Sequence, residues 1–409
     1  MTGAPGARPR AAPAAYTRRE RVAVSLFFGL NGGLFGTWVS RIPAAADRVQ
    51  AGPGTLGLAL LSIAAGALLA MPLSGRWCAR WGSRRVTTVA GVANAVSVPL
   101  LALAGDPVVL GLLLAVYGVA SGGLDVAMNT AAVAAVRRAR RPLMPSFHGW
   151  WSVGGMGGAA LGGLAAGAGL PLPTHFALAA AAALAATAWA ARHLPPDPPQ
   201  RPGSDPAGAP TTLPAVPPAW RDPALVALGA VCFVAALGEG AMADWSALFL
   251  RDVLGTSAAV AAGGYTAFSV AMAAGRFAGG SVLHRFGPAR VLPAGLGLAA
   301  LGTLAVTAAP HPAAALAGFV LAGAGLSAGF PVVLNAAGAH AGGSGPAIGL
   351  VATVGYTGFL AGPPLVGLVA ESTGLRVGLG LVAPVLLGGL LLARAQRATL
   401  AEADPARAA

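Results

Sequence analysis

The chain has 409 residues, of which 56% are hydrophobic and 10% charged, with a formal net charge of +13. At a mean hydropathy of +0.71 its apolar surface exceeds what one water-soluble core can bury, which excludes an ordinary soluble domain and makes lipid the solvent. In a soluble protein such a charge would suggest nucleic acid; here the basic residues, all arginine, sit in short loops beside anionic headgroups, and no nucleic-acid partner is expected.

Each crossing of a bilayer needs about 20 mostly apolar residues. After an Arg-, Pro- and Ala-rich start, expected to be disordered over 1–19, the Gly, Pro and charge clusters place twelve spans. They lie near 21–40, 55–75, 85–104, 108–136, 146–169, 174–192, 223–249, 258–282, 290–309, 313–338, 346–370 and 375–394. The first is followed by Trp38-Val39-Ser40-Arg41-Ile42-Pro43, which offers no small-residue cleavage site, so it reads as a retained helix. All arginines but Arg41, Arg48, Arg251 and Arg376 lie at the ends sharing one side with the termini. That bias puts both termini in the cytoplasm.

Between Leu194 and Trp220 the chain is polar and laden with proline, a semi-extended linker rather than a span. It divides the molecule into a six-helix half at 20–193, a cytoplasmic linker at 194–222, a second half at 223–395 and a tail at 396–409. The halves echo each other: WGSRRV at 81–86 returns as FGPARV at 286–291, and Trp38 returns as Trp245. Cys78 and Cys232 are the two cysteines, both in or beside apolar helices, so neither a disulfide framework nor a metal site is expected, and no cofactor is implied.

The informative residues are those whose burial in lipid is costly. Asp125 precedes Arg137 by twelve residues, about 18 Å of helix, which places it near the midplane. Asn129 follows at i+4 on the same face, with Gly118 and Gly122 along the same stripe. Desolvation raises a carboxyl toward neutrality, so Asp125 is a candidate proton carrier; the alternative is a structural link between helices. Glu239 and Asp244 share the seventh span but lie about 140° apart around it. Glu239 is the cavity candidate, and Asp244 is expected to pair with Arg41 or Arg48 as an outer gate.

Asn31 and Asn335 suit either ligand contact or interhelical hydrogen bonds. Trp150 reads as an interfacial anchor, and His148 could sense or relay protons. Arg276 either snorkels to the headgroups or lines the cytoplasmic opening. The glycines of the fifth span permit close helix packing; no Gly-Lys-Ser/Thr follows them, so they are not a phosphate loop. Pro363 and Pro364 are expected to bend the eleventh span.

Six spans, a cytoplasmic linker, six more spans and internal repeats resemble the major facilitator transporters, whose halves rock about a midplane site. Their loop signature after the second span, G-x-x-x-D-R-x-G-R-R/K, stands here as Gly75-Arg76-Trp77-Cys78-Ala79-Arg80-Trp81-Gly82-Ser83-Arg84, with Ala79 at the aspartate position; the second-half copy carries His284 and Arg285. The resemblance implies a cytoplasmic latch with Arg80 and Arg285 at gating positions, weakened or supplied otherwise because the aspartate is missing.

Longer stretches, GLDVAMN at 123–129, RPLMPSFHGWWSVGGMGGA at 141–159, GEGAMADW at 238–245, GFPVVLNAAG at 329–338 and VGYTGFLAGPPLVGLVAESTGLR at 354–376, are similar to the YbjJ-like branch. That branch resembles the fucose-type sugar:proton symporters around the fourth helix, where an acid four residues before an asparagine carries coupling and sugar contact; Asp125 and Asn129 match the spacing. The resemblance also places helices one, four, seven and ten around the cavity, and so implies solute contacts from Asn31, Asn129, Glu239 and Asn335. His148 and Trp151 fall where those symporters carry polar cavity residues.

The expected fold is therefore all-α, with twelve transmembrane helices in two halves and cytoplasmic termini. The expected activity is alternating-access secondary transport of a small solute, with Asp125 and Glu239 in proton coupling. Symport of a polar solute such as a sugar leads, since positions 154–163 lack the proline of the antiporter signature. Proton-exchange efflux of a drug or metabolite is the alternative, and a non-transporting receptor or scaffold the rival of another class. No metal-spaced cluster, G-x-S-x-G elbow or soluble domain points to an enzyme. The expected setting is a bacterial plasma membrane, as a monomer whose partners are lipid, solute and protons.

Overall fold

A computed structural model describes residues 16–139, 143–197, 219–341 and 345–403. Most of the expected disordered start, most of the linker, Arg140 and Arg141, and the end of the tail lie outside them. Among the described residues all regular structure is helical. The first six spans are α1 (Arg18–Val49), α2 (Pro53–Trp81), α3 (Ser83–Leu101), α4 (Pro107–Ala139), α5 (Met144–Gly167) and α6 (Leu172–His193). The second set begins with α7 (Pro223–Leu248), which continues as a π-turn over Phe249–Val253, followed by α8 (Ala258–Phe286) and α9 (Pro288–Ala308). The tenth span is α10 (Pro312–Leu326) plus α11 (Gly329–His340), the eleventh is α12 (Gly345–Thr373), and the twelfth is α13 (Leu375–Gly380) plus α14 (Val382–Ala395). A short α15 (Arg397–Glu402) follows within the expected tail.

Ten of these segments are long and apolar enough to cross a membrane by length and hydropathy. The other two are α3, which opens on Arg84 and Arg85, and the glycine-rich α5. The chain is an all-α membrane protein of two six-helix halves. Some ends differ from expectation. The first helix starts at Arg18, inside the segment assigned to disorder, because Thr17 and Glu20 form a reciprocal capping box. It also runs through Pro43 to Val49. α12 is one continuous helix with Pro363 and Pro364 inside it.

Lipid supplies no hydrophobic drive between helices, so close backbone packing holds each half together. A Cβ on Gly32 or Gly36 of α1 would lie 2.0 Å from the Trp151 or Gly155 carbonyl oxygen of α5. In the second half, a Cβ on Gly358 of α12 would lie 2.2 Å from the Phe233 carbonyl of α7. The WG/FG repeat has a backbone cause as well. Gly82 (φ 87, ψ 147) and Gly287 (φ 72, ψ 154) make the α2–α3 and α8–α9 turns in a region essentially reserved for glycine.

The halves meet along α2 against α12 and α5 against α8. At the outer end α2 and α12 touch through glycine: a Cβ on Gly57 would be 2.6 Å from the Pro363 oxygen, and one on Gly367 2.4 Å from the Pro53 oxygen. At the cytoplasmic end of the same pair a Cβ on Gly75 or Gly349 would meet nothing within 4 Å. Polar bonds follow the same division. Arg251 of α7 reaches Asp47 of α1 at 2.7 Å, and the Gly54 amide of α2 donates to Glu371 of α12 at 2.8 Å, both joining the halves outside. The cytoplasmic pairs Arg138–Glu20 (3.1 Å) and His340–Asp222 (3.1 Å) each stay inside one half. The bundle is thus closed outside, and α2 and α12 part toward the cytoplasm, while α5 and α8 stay in contact there, a Cβ on Gly149 lying 2.4 Å from the Phe277 ring.

Candidate functional site

At the centre of the interface Trp151 and Ser152 of α5 face Glu239 of α7 and Tyr265, Phe268 and Ser269 of α8 across a small cleft. Phe35 of α1 stacks on Trp151 (6.0 Å between centroids) and meets Tyr265 edge-on (5.9 Å), so an aromatic wall spans both halves. Beneath it Arg276 of α8 donates through Nη2 to Glu239 Oε1 at 3.3 Å and through Nη1 to Ser152 Oγ at 3.1 Å. One guanidinium therefore ties the acid of its own half to a hydroxyl of the other. Neither charge is widely exposed, at 22% for Arg276 and 17% for Glu239.

Asp125 is half-buried on α4, with Asn129 one turn on. The Asn129 amide donates to the Asp125 carbonyl (2.8 Å) and carboxylate (3.3 Å). The Tyr356 phenol of α12 reaches the Asp125 carboxyl from the opposite half. Three of the four tyrosines of the chain, Tyr117, Tyr265 and Tyr356, lie inside spans. A phenol in lipid needs a partner, and that was the available signal for Tyr265 and Tyr356, which motif reasoning passed over.

The other expected site residues differ in where they stand. Asn31 is 4% exposed, and its side-chain oxygen accepts from Asn94 (3.2 Å) and Ser121 (3.0 Å), so it knots α1, α3 and α4. His148 is exposed and edge-on to Phe28, while Trp151 lines the cleft. Asn335 is exposed on α11. Arg276, left open between snorkelling and lining, points inward. Arg80 and Arg285 are exposed and lie over the neighbouring rings of Trp81 and Phe286.

The expected outer pairing of Asp244 with Arg41 or Arg48 is not formed. Arg41 donates to the Leu170 carbonyl (2.9 Å) and Arg48 to that of Ala104 (3.1 Å), because each is the nearest acceptor for a guanidinium turned into its own half. The outer polar links are Asp47–Arg251 and Gly54–Glu371 instead. Sequence spacing held no sign of the second, whose partners are 317 residues apart. Beside the Ala79 loop another aspartate is in place. Asp197, after α6, caps the start of α3 by accepting from the Ser83 amide and hydroxyl at 2.6 Å each. Gly82 is needed for that approach, since a Cβ there would lie 2.2 Å from the carboxylate.

The sequence matches the Major Facilitator Superfamily over residues 22–265 and 246–408. The chain belongs to that superfamily. It is 36% identical over 379 residues to an uncharacterised MFS-type transporter of Yersinia pestis, covering 92% of this chain and 95% of that one. Two solved structures share the fold at a TM-score of 0.74 each. The nucleoside transporter NupG is 14% identical and covers 93% of this chain, 99% of its own. An inward-facing bacterial homologue of the human lysosomal transporter Spinster is 18% identical and covers 98% of this chain, 99% of its own. The protein is accordingly a multi-pass secondary transporter, of a superfamily that is generally non-enzymatic.

Proposed function

We propose that this transporter is a proton-coupled symporter of a small polar solute, such as a sugar or related metabolite, in a bacterial plasma membrane. Asp125 carries the proton, and the cleft around Glu239, Arg276, Ser152 and Trp151 holds the solute. The observation that carries this reading is the Arg276 bridge between Glu239 and Ser152. Solute oxygens can replace both ends of that bridge, and the aromatic wall offers flat apolar faces to a ring. Asp125 has its cross-half neighbour in Tyr356, a contact that rocking makes and breaks. The likeness of the Asp125–Asn129 spacing to the fucose-type symporters supports the same assignment.

The test is a solute-induced pH change in proteoliposomes of known orientation, screened against sugars, polyols, small acids and cationic drugs. Alkalinisation of the compartment that loses a polar solute is expected. Asp125→Asn should abolish that proton movement while leaving solute counterflow. Proton movement opposite to the solute would establish exchange, and an Asp125→Asn protein that still accumulated solute with protons would overturn the coupling assignment.

A further inference from the structure

Asp244 lies on α7, five residues beyond Glu239 toward the outside, and only 8% of it is exposed. Among the described residues it has no ion pair and no hydrogen bond, although charged and titratable groups surround it at some remove. Arg251 stands seven residues further out, in the π-turn Phe249–Val253 that ends α7, and is engaged by Asp47 of α1 and by Asp252. Arg41 and Arg48 of α1 each reach a backbone carbonyl rather than Asp244, and Arg41 keeps Nε and Nη1 buried without a partner. Tyr265 of α8 and, behind it, Arg276 and Glu239 lie at longer range, with no hydrogen bond to Asp244. On α12, Glu371 is occupied by the Gly54 amide and Tyr356 by Asp125. Arg376 of α13 donates to the Thr307 and Ala309 carbonyls. The remaining neighbours of α7 carry His311, His340 and Arg394 only at their ends.

An ionised carboxylate in this position would lose its water and gain no counter-charge, an arrangement that buried acids avoid by holding a proton. The closed outer side therefore favours Asp244 in its neutral form. We propose that Asp244 is a proton-binding site that makes closure of the outer side conditional on protonation from outside. Parting of the outer ends separates Asp47 from Arg251 and wets the Asp244 carboxylate, which then ionises. Uptake of one proton from external water onto a carboxylate oxygen removes the charge, and the halves can close over it. The inference rests on the alternating-access reading, but not on Asp125 as the coupling residue.

The test reads the outer ends directly, in nanodiscs without solute, with spin labels at Leu103→Cys and Pro310→Cys in a background carrying Cys78→Ser and Cys232→Ser. In the otherwise native protein the ratio of open to closed outer ends should rise with pH, by up to about tenfold per pH unit for one titrating proton. Asp244→Asn should stay closed at every pH. Infrared difference spectra of the native protein under acidic, outer-closed conditions should show a protonated-carboxyl band absent from both Asp244→Asn and Asp244→Ser. A pH-independent native protein, an Asp244→Asn protein with the native pH dependence, or a closed state lacking the carboxyl band would each overturn the proposal. Because no solute is present, failure of solute-driven proton uptake at Asp125 leaves these readouts unchanged.

Discussion

The carboxylate of Glu371, near the outer end of α12, accepts the backbone amide of Gly54 in the first turn of α2 at 2.8 Å. A side chain of one half thereby caps a helix of the other, in the place where the helix dipole favours a negative charge. The contact is possible because α2 opens on Gly52, Pro53 and Gly54: a Cβ on Gly52 would lie 3.0 Å from the same carboxylate.

Glu371→Gln keeps the shape of the cap and removes its charge. A carboxylate at a helix N-terminus contributes about 0.3–1 kcal/mol, so the variant should favour the outward-open form by roughly two- to fivefold. The outer-end distance distribution checks this, and no shift would show the contact to be incidental.

Gly36→Ala should be far more damaging than its size suggests. The added methyl would sit 2.0 Å from the Gly155 oxygen and 2.9 Å from the Ala159 nitrogen, and neither backbone can retreat without unpacking α1 from α5. Overpacking of this kind costs about 1–3 kcal/mol. A lower unfolding temperature in detergent is expected, together with poor yield.

Arg276→Ala leaves Glu239 without its ion pair in a setting where both charges are less than a quarter exposed. A loss of about 1–3 kcal/mol is expected, roughly fivefold or more in transport. Removing Glu239 as well should cost less than the sum of the two single changes, since the pair is lost only once. Additive losses in the double variant would mean that the bridge is not a functional unit.

On the cytoplasmic side His340 bonds two acceptors at once, Glu402 of α15 through Nδ1 (2.9 Å) and Asp222 through Nε2 (3.1 Å). Carboxylates only accept, so both ring nitrogens must carry protons. Burial pushes the Asp222 carboxyl up, but the Ala224 and Leu225 amides and His340 outweigh it and hold it below the usual carboxylate range. Its contribution is therefore present above the unfolded value of about 3.9 and lost as pH falls through the lower folded one. The His340 contribution has the opposite sign, present while the imidazole is charged and lost as pH rises through its titration. Hydrogen exchange in Arg397–Glu402 should accordingly be slowest between these limits, and His340→Gln should erase the alkaline rise.

Much of the fold was legible because lipid constrains it so strongly. Apolar runs of sufficient length must become helices, since no other open structure satisfies the backbone there, and arginine placement sets their direction. The WG/FG repeat was legible for a local reason, the glycine-only turns at Gly82 and Gly287. Boundaries were less so: the first span is expected near 21–40, yet α1 runs from Arg18 through Pro43 to Val49.

The site was legible only as a set of costly residues. Asp125, Glu239 and Asp244 announce themselves because a carboxyl in an apolar run needs a reason. Their partners did not. Asn31 looks like Asn129 in sequence, but two donors from α3 and α4 occupy it. Arg276 admitted two directions, and only the packing of α8 against α5 turned it onto Ser152.

By itself, the sequence determined the solvent, the number and direction of the spans, the twofold repeat and the identity of the buried acids, because each follows from local hydropathy, charge or backbone freedom. Tertiary structure alone decided which acid is bridged, which faces a phenol and which is left bare, and that Glu371 rather than Arg41 closes the outer side. Those outcomes depend on how helices hundreds of residues apart in the chain turn toward one another, and side-chain partnership in a bundle is set by that rotation.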